Sequence, residues 1–210
     1  MSRVVVLGGS GEMGRRVVDR LSASGHDVLA ASRATGVDAL SGIGLDDALA
    51  GADTVIDCLN LQTVSRRRAV QFFGGSAKAV SAAAGRAGVG HVVCLSIVNV
   101  TDPAVRRATG YYAGKATQEE AYLAGSTPVT VVRTTAWFTL AETFLTQIRV
   151  GPVAVVPHLL LRPVHPDAAA SALANVVEAG PRKGGYPTRH ELAGPEVWDA
   201  ADMARKVAAA

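Results

Sequence analysis

Aromatic side chains are scarce in this chain of 210 residues, at 5% of the total. Its interior must therefore be built from aliphatic side chains and alanine, and each ring that does occur becomes a candidate for a binding surface. Cysteine is rarer still. Cys58 and Cys94 are the only two, and each sits in an apolar run that reads as a buried strand, where a thiol behaves as a small hydrophobe. That excludes a disulfide framework and leaves no metal or nucleophile signal. No run of about 18 apolar residues occurs, so no membrane span is expected. The start passes from Met1-Ser2-Arg3 through four apolar residues into glycines, too short a run for a signal peptide, which leads to the expectation of a cytoplasmic protein. An excess of one charge is missing too: 21 Lys and Arg face 18 Asp and Glu, for a net charge of +3. The bases are dispersed except for Arg66-Arg67-Arg68, which reads as a solvated helix start, so no nucleic-acid footprint is expected.

What is present is 49% hydrophobic residues and 22 glycines, a composition and length that fit one globular domain over residues 1–210. Short β-branched runs alternate with alanine-rich amphipathic stretches, the pattern of a doubly wound parallel sheet flanked by helices, an α/β fold. Strands are expected at 4–7, 28–31, 54–58, 91–95 and 129–133, with a weaker one at 153–156 and a last one near 190–193. Helices are expected at 13–23, 45–49, 76–87, 111–124, 137–148, 166–179 and 200–209. Gly25 and Gly88 stand where left-handed helix caps belong, and Asp167 and Asp199 stand near helix starts. The segment 180–187, rich in Gly, Pro and bases, reads as a surface loop. Residues 1–134 would form a nucleotide-binding part and 135–210 a small substrate-side region.

The first strand runs directly into Gly8-Gly9-Ser10-Gly11-Glu12-Met13-Gly14 and then a helix. Glycines there let backbone N–H groups approach a pyrophosphate while the helix N-terminus adds positive potential. Two spacings fit at once, Gly8-x-x-Gly11-x-x-Gly14 and Gly9-x-Gly11-x-x-Gly14. An NAD-selective fold places an acid about 20 residues further on, at the end of the second strand. That acid is absent; Ser32-Arg33 stands there instead, and a hydroxyl with a guanidinium suits a 2′-phosphate, which points to NADP(H) over NAD(H). Asp38 lies in the next loop, where it either meets the adenine edge or serves as an ordinary turn aspartate.

Tyr111-Tyr112-Ala113-Gly114-Lys115 opens a predicted helix, and residues four apart share one face. Tyr111 and Lys115 can therefore point the same way, and an ammonium beside a phenol favours the phenolate, suiting Tyr111 to proton donation. A rotated helix would present Tyr112 instead. Phe72, Phe73, Trp137 and Phe138 flank the expected cleft, either as core or as a stacking surface for a planar, aromatic or quinonoid substrate. His26, His91, His158 and His165 have no acid or cysteine at metal-ligand spacing and read as structural or solvated, so no metal is expected. Ser96 lacks the surroundings of a nucleophile elbow.

The segments VVVLGGSGEMG, ALAGADTVIDCLN, HVVCLSIV, YYAGKATQEE, PVTVVRTTAWF, RPVHPDAAASALANV and ELAGPEV occur in that order, and together they resemble the atypical short-chain dehydrogenases/reductases of the NmrA-like, NAD(P)H-binding group over nearly the whole chain. The resemblance implies a Rossmann-like fold. It further implies that Ser96 orients a substrate oxygen, Tyr111 donates a proton and Lys115 holds the cofactor. Leu59 and Asn60 would lie along the cofactor, and Thr134 and Thr135 would reach its nicotinamide end. The activity implied is NADPH-dependent reduction of a small carbonyl, quinone or enone. Two alternatives stand beside it: a non-catalytic NADP(H) sensor that reports to a protein partner, and a non-redox isomerase, cyclase or dehydratase. Oligomeric state is left open.

Overall fold

The computed structural model describes residues 1–147, 149–150 and 153–209. In chain order its elements are β1 (Arg3–Leu7), α1 (Glu12–Ala23), β2 (Asp27–Ala31), a 3-10 turn (Arg33–Thr35), α2 (Leu45–Leu49), β3 (Thr54–Asp57), α3 (Arg66–Ala87), β4 (His91–Ile97), α4 (Pro103–Ala108), α5 (Gly110–Leu123), β5 (Val129–Thr134), α6 (Leu140–Gln147), β6 (Arg149–Val150), β7 (Val153–Ala154), β8 (Leu160–Leu161), α7 (Pro166–Ala179), β9 (Thr188–Leu192), β10 (Trp198–Asp199) and α8 (Ala200–Ala208).

Among the described residues, six parallel strands form the main sheet in the order β2-β1-β3-β4-β5-β9. The chain leaves β1 for β2 on one side and returns to β3 on the other. That reversal opens a crevice at the carboxyl ends of β1 and β3, where ligands bind in open α/β sheets. Alternate side chains along the strands feed two cores. Val5, Val55, Cys94 and Val131 pack under α2, α3 and α5 with Leu49, Val80 and Tyr122. Val4, Val6, Ile56 and Val132 pack under α1 and α7 with Val17, Leu21 and Leu173. This is the Rossmann-like doubly wound architecture expected from the strand and helix alternation.

Several boundaries differ from the pattern reading, each for a packing reason. Helix α3 starts at Arg66 rather than at residue 76; Ser65 caps it by accepting from Arg68 N at 3.4 Å. Gly74-Gly75 looks like a break in the sequence but lies inside the helix, and a Cβ on Gly74 would sit 2.5 Å from Thr117 Cγ2 on α5. A Cβ on Gly114 would likewise meet Phe73 Cδ2 at 2.7 Å, so the two helices approach backbone to backbone because glycines line their contact. The strand expected at 153–156 shrinks to β7, which pairs antiparallel with β6 outside the main sheet. The sixth strand is β9, offset by two residues from the expectation. The helix expected from residue 137 begins at Leu140, because Val164 N donates to Ala136 O and Phe138 N donates to Val164 O, so 136–138 spend their backbone groups on an extended contact. The expected end of that helix, Ile148, lies outside the described residues. Helix α4, with Pro103 at its start and Asp102 as its cap, adds an element that the periodicity does not show.

His165 Nδ1 accepts from Asp167 N at the start of α7, and His26 pairs with Glu178. His91 is buried with Nε2 on Thr130 Oγ1, and burial pushes its pKa down to about 4, so it is neutral at physiological pH. No group of three or more His, Cys, Asp or Glu that could hold a metal occurs among the described residues. No helix among them is long and apolar enough to cross a membrane.

Candidate functional site

The glycine turn has the geometry a phosphate cradle needs. Gly8 has φ +73°, a left-handed conformation that side-chain-bearing residues avoid. A Cβ on Gly9 would sit 2.8 Å from Ala30 Cβ, and one on Gly14 would lie 2.1 Å from Gly8 O. Gly14 thus lets α1 abut the turn, and the first turn of α1 points at the carboxyl ends of β1 and β3. Gly11 is the N-cap residue and provides no side-chain cap, so the N–H groups of the first turn are left for a ligand; Ser10, Gly11 and Glu12 are exposed and Met13 is buried in the core below. An anion with oxygens on several faces fits this end of a 12-residue helix.

Around the turn the structure brings together residues far apart in sequence. Gly9 N donates to Ala31 O, which fixes the end of β2 beside the turn and sets Ser32 and Arg33 next to it. Arg33 is exposed, and its guanidinium makes no hydrogen bond or ion pair among the described residues. Asp38 takes the turn role: its Oδ1 accepts from Leu40 N at 3.0 Å. On the other side, Gly8 packs on the backbone of Cys58 and Leu59. Asn60 follows, and its Oδ1 accepts from the Tyr111 hydroxyl at 3.2 Å. The sequence left Tyr111 and Tyr112 as alternatives; it is Tyr111 that reaches this strip, while the Tyr112 phenol is half-buried and burial raises its pKa.

Lys115 is 3% exposed and its Nζ donates to Leu95 O at 2.7 Å while lying over the Phe73 ring, 4.8 Å from the centroid. Tyr111 stacks edge-on against the same ring at 5.5 Å. The expected ammonium–phenol pair is therefore organised through Phe73, with the ammonium held by a strand carbonyl. Ser96 is 3% exposed and its Oγ has no hydrogen-bond partner. A buried hydroxyl without a partner costs stability. Ser96 lies at the carboxyl end of β4, on the face covered by α5.

What holds α5 in this rotation escaped the sequence reading. Asp57, fully buried at the end of β3, accepts from Leu59 N at 2.8 Å through Oδ1 and from Gln118 Nε2 and the Tyr122 hydroxyl, both at 2.7 Å, through Oδ2. Burial, together with the Asp57 charge, raises the Tyr122 pKa well above its ordinary value, so the phenol stays a donor. Arg133 on β5 binds Glu119 through Nε and Nη2 at 3.0 and 2.8 Å, and Glu191 on β9 at 3.2 Å. An acid inside the apolar run TVIDC and an arginine inside VTVVRT were the available signals. Burial is also the main cause that raises the pKa of both thiols, which remain neutral core groups.

The expected substrate-side rings do not form one cluster. Phe72 packs edge-on against Phe73 at 5.2 Å. Trp137 donates its indole N–H to Thr134 Oγ1 at 3.1 Å, so that buried hydroxyl is already engaged, and Thr135 Oγ1 donates to Arg162 O. Phe138 is 38% exposed and stacks against Trp198 at 6.1 Å, with Lys206 Nζ 4.4 Å over the Trp198 ring. This gives the part of the chain after residue 134 an aromatic shelf made of Phe138 and Trp198.

No known family model matches the chain, and no curated protein matches it. Solved structures do. MoeE5 in complex with UDP-glucuronic acid and NAD superposes with a TM-score of 0.79 at 19% identity, covering 99% of this chain and 81% of that one. A dTDP-4-dehydrorhamnose reductase from Bacillus anthracis str. Ames, in complex with NADP, gives 0.77 at 14% identity over 100% and 81%. A short-chain dehydrogenase/reductase superfamily protein from Agrobacterium tumefaciens with bound NAD gives 0.72 at 17% over 99% and 82%. Likeness at this level of identity establishes the fold.

Proposed function

We propose that this protein is an NADPH-dependent reductase of a small carbonyl, quinone or enone, of the atypical short-chain dehydrogenase/reductase kind that its motifs resemble. The observation that carries the reading is the Tyr111–Asn60 hydrogen bond: it sets a phenol against the strip that begins at the glycine turn. The dinucleotides bound by the structural neighbours support the same reading. The first turn of α1 would hold the pyrophosphate, with the side-chain-free glycines of the turn leaving it room, Arg33 the 2′-phosphate and Lys115 the nicotinamide ribose. The bound nicotinamide supplies a hydride. Tyr111 gives its hydroxyl proton to the substrate oxygen as that oxygen gains negative charge, and Ser96 donates a hydrogen bond to the same oxygen. Lys115, held by Leu95 O over the Phe73 ring, fixes the inner side of this part of α5. The Phe138–Trp198 shelf suits a planar substrate.

In stopped-flow experiments that follow NADPH absorbance against a panel of quinones, ketones and enones, at least one acceptor should be turned over, and Tyr111→Phe should slow it by about 100-fold or more. Inertness towards the whole panel, with Tyr111→Phe indistinguishable from the parent, would sink the reading. Removing the Arg33 guanidinium should act on cofactor choice. The ratio of NADPH to NADH affinity, measured by fluorescence titration, should fall by about 10- to 100-fold in Arg33→Ala, as expected for loss of a charge-assisted bond to a phosphate.

A further inference from the structure

Arg66, Arg67 and Arg68 take no part in the proposed reduction, and their sequence suggests only a solvated helix start. The fold sets a second basic segment against them. Helix α4 carries Arg106 and Arg107 in its last turn, and Nη1 of Arg66 donates to Arg106 O at 2.6 Å. A Cβ on Gly110 would lie 2.7 Å from both N and Cα of Arg66, so the starts of α3 and α5 touch through their backbones one residue before Tyr111. Five guanidinium-bearing residues thus gather on helix ends that leave the carboxyl edge of the sheet. Of these, Arg106 alone meets a carboxylate among the described residues, Glu120 at 2.9 Å. The nearby Asp102 carboxylate is taken up by the N–H groups of Ala104 and Val105. Arg67, Arg68 and Arg107 are exposed, and their guanidinium groups have no hydrogen-bond or ion-pair partner among the described residues. The whole chain has a net charge of only +3, so this collar concentrates an excess as large as that of the entire molecule.

Like charges collected at one place create a local positive potential that draws anions. Guanidinium groups bind phosphate or sulfonate oxygens by paired, charge-assisted hydrogen bonds. The helix ends that carry the collar meet one residue before Tyr111, a placement that suits a tail on the molecule whose carbonyl would lie at that phenol. A long polyanion would need an extended basic stripe. We propose that the arginine collar receives an anionic tail, phosphate or sulfonate in chemistry, carried by the substrate; this rests on the reductase reading above.

The test pairs a kinetic with an equilibrium measurement on the full chain. For 1,2-naphthoquinone-4-sulfonate and 1,2-naphthoquinone, the ratio of kcat/KM values should fall about tenfold or more in the R67E/R107E double variant and should fall with added salt in the parent. In parallel, calorimetric titration of the NADPH-saturated protein with pyrophosphate at low ionic strength should show binding that the double variant weakens by about fivefold or more. An unchanged ratio with unchanged pyrophosphate binding overturns the collar. Should the parent reduce neither quinone, the reductase reading fails, and the pyrophosphate titration alone decides the anion site: weakened binding in the variant upholds it, equal binding overturns it.

Discussion

Gly14→Ala should abolish useful cofactor binding while leaving a folded protein. The added Cβ would lie 2.1 Å from Gly8 O and 2.7 Å from Gly9 Cα, and both opposing atoms are backbone, so no rotamer change relieves the clash. Helix α1 must retreat from the turn by about an ångström. Overpacking of this kind costs about 1–3 kcal/mol of stability. The larger effect falls on the site, because the N–H groups of the first turn move with the helix; a displacement of about an ångström in a positioned group costs on the order of 100-fold. NADPH titration should show a dissociation constant raised by about that factor, with a lowered but cooperative thermal transition. Gly25→Ala is the control. Gly25 has φ +85°, and a methyl added there would meet no atom within 4 Å, so backbone strain of about 1–2 kcal/mol should appear without change in NADPH affinity. Equal affinity for Gly14→Ala and the parent would show that the turn is not the phosphate cradle.

Asp57→Ala should be the most destabilising single change in the α5 contact. It leaves two buried donors, Gln118 Nε2 and the Tyr122 hydroxyl, without their acceptor and frees Leu59 N. At about 1–3 kcal/mol for each buried group, the loss should be about 3–5 kcal/mol in urea unfolding. Asp57→Asn should cost far less, under about 2 kcal/mol, for a structural reason: Gln118 Oε1 has no partner, so a flipped Gln118 amide can accept from the new Asn N–H₂ group. Tyr122→Phe, which removes one donor and leaves Asp57 two others, should lie between these limits. Because the same network fixes the rotation of α5, and the Leu59 N–H that it holds lies against Gly8, Asp57→Ala should also lower turnover through Tyr111 and weaken NADPH binding at the adjoining turn. Asp57→Asn as damaging as Asp57→Ala would refute the flip.

The glycine turn was fully legible because its chemistry is local. A strand, a run of glycines and a helix start lie within a few consecutive residues, and each glycine answers a steric demand made by its immediate neighbours. Strand existence was legible for the same reason, since Val4–Leu7 or Val129–Val132 can only be buried. The sequence reading began α3 ten residues late; Gly74-Gly75 lies inside the helix, packed against α5, some 40 residues further on. Pattern reading takes the apolar face of a helix as the buried one, yet α5 buries Lys115, Gln118 and Glu119. Periodicity had no means of placing Asp57 and Arg133 opposite them.

The sequence alone therefore determined the parallel doubly wound sheet, the glycine turn at Gly8–Gly14 between a strand and a helix, and the placement of Tyr111 and Lys115 on one helix, all consequences of spacing along a continuous backbone. Tertiary structure decided which tyrosine meets Asn60, that Phe73 stands between the phenol and the ammonium, that Trp137 engages Thr134, and that Arg106 and Arg107 join Arg66–Arg68 beside the site. Those outcomes depend on the rotation and approach of helices, which are set by buried polar contacts and glycine-lined interfaces between segments tens of residues apart, and no local pattern encodes them.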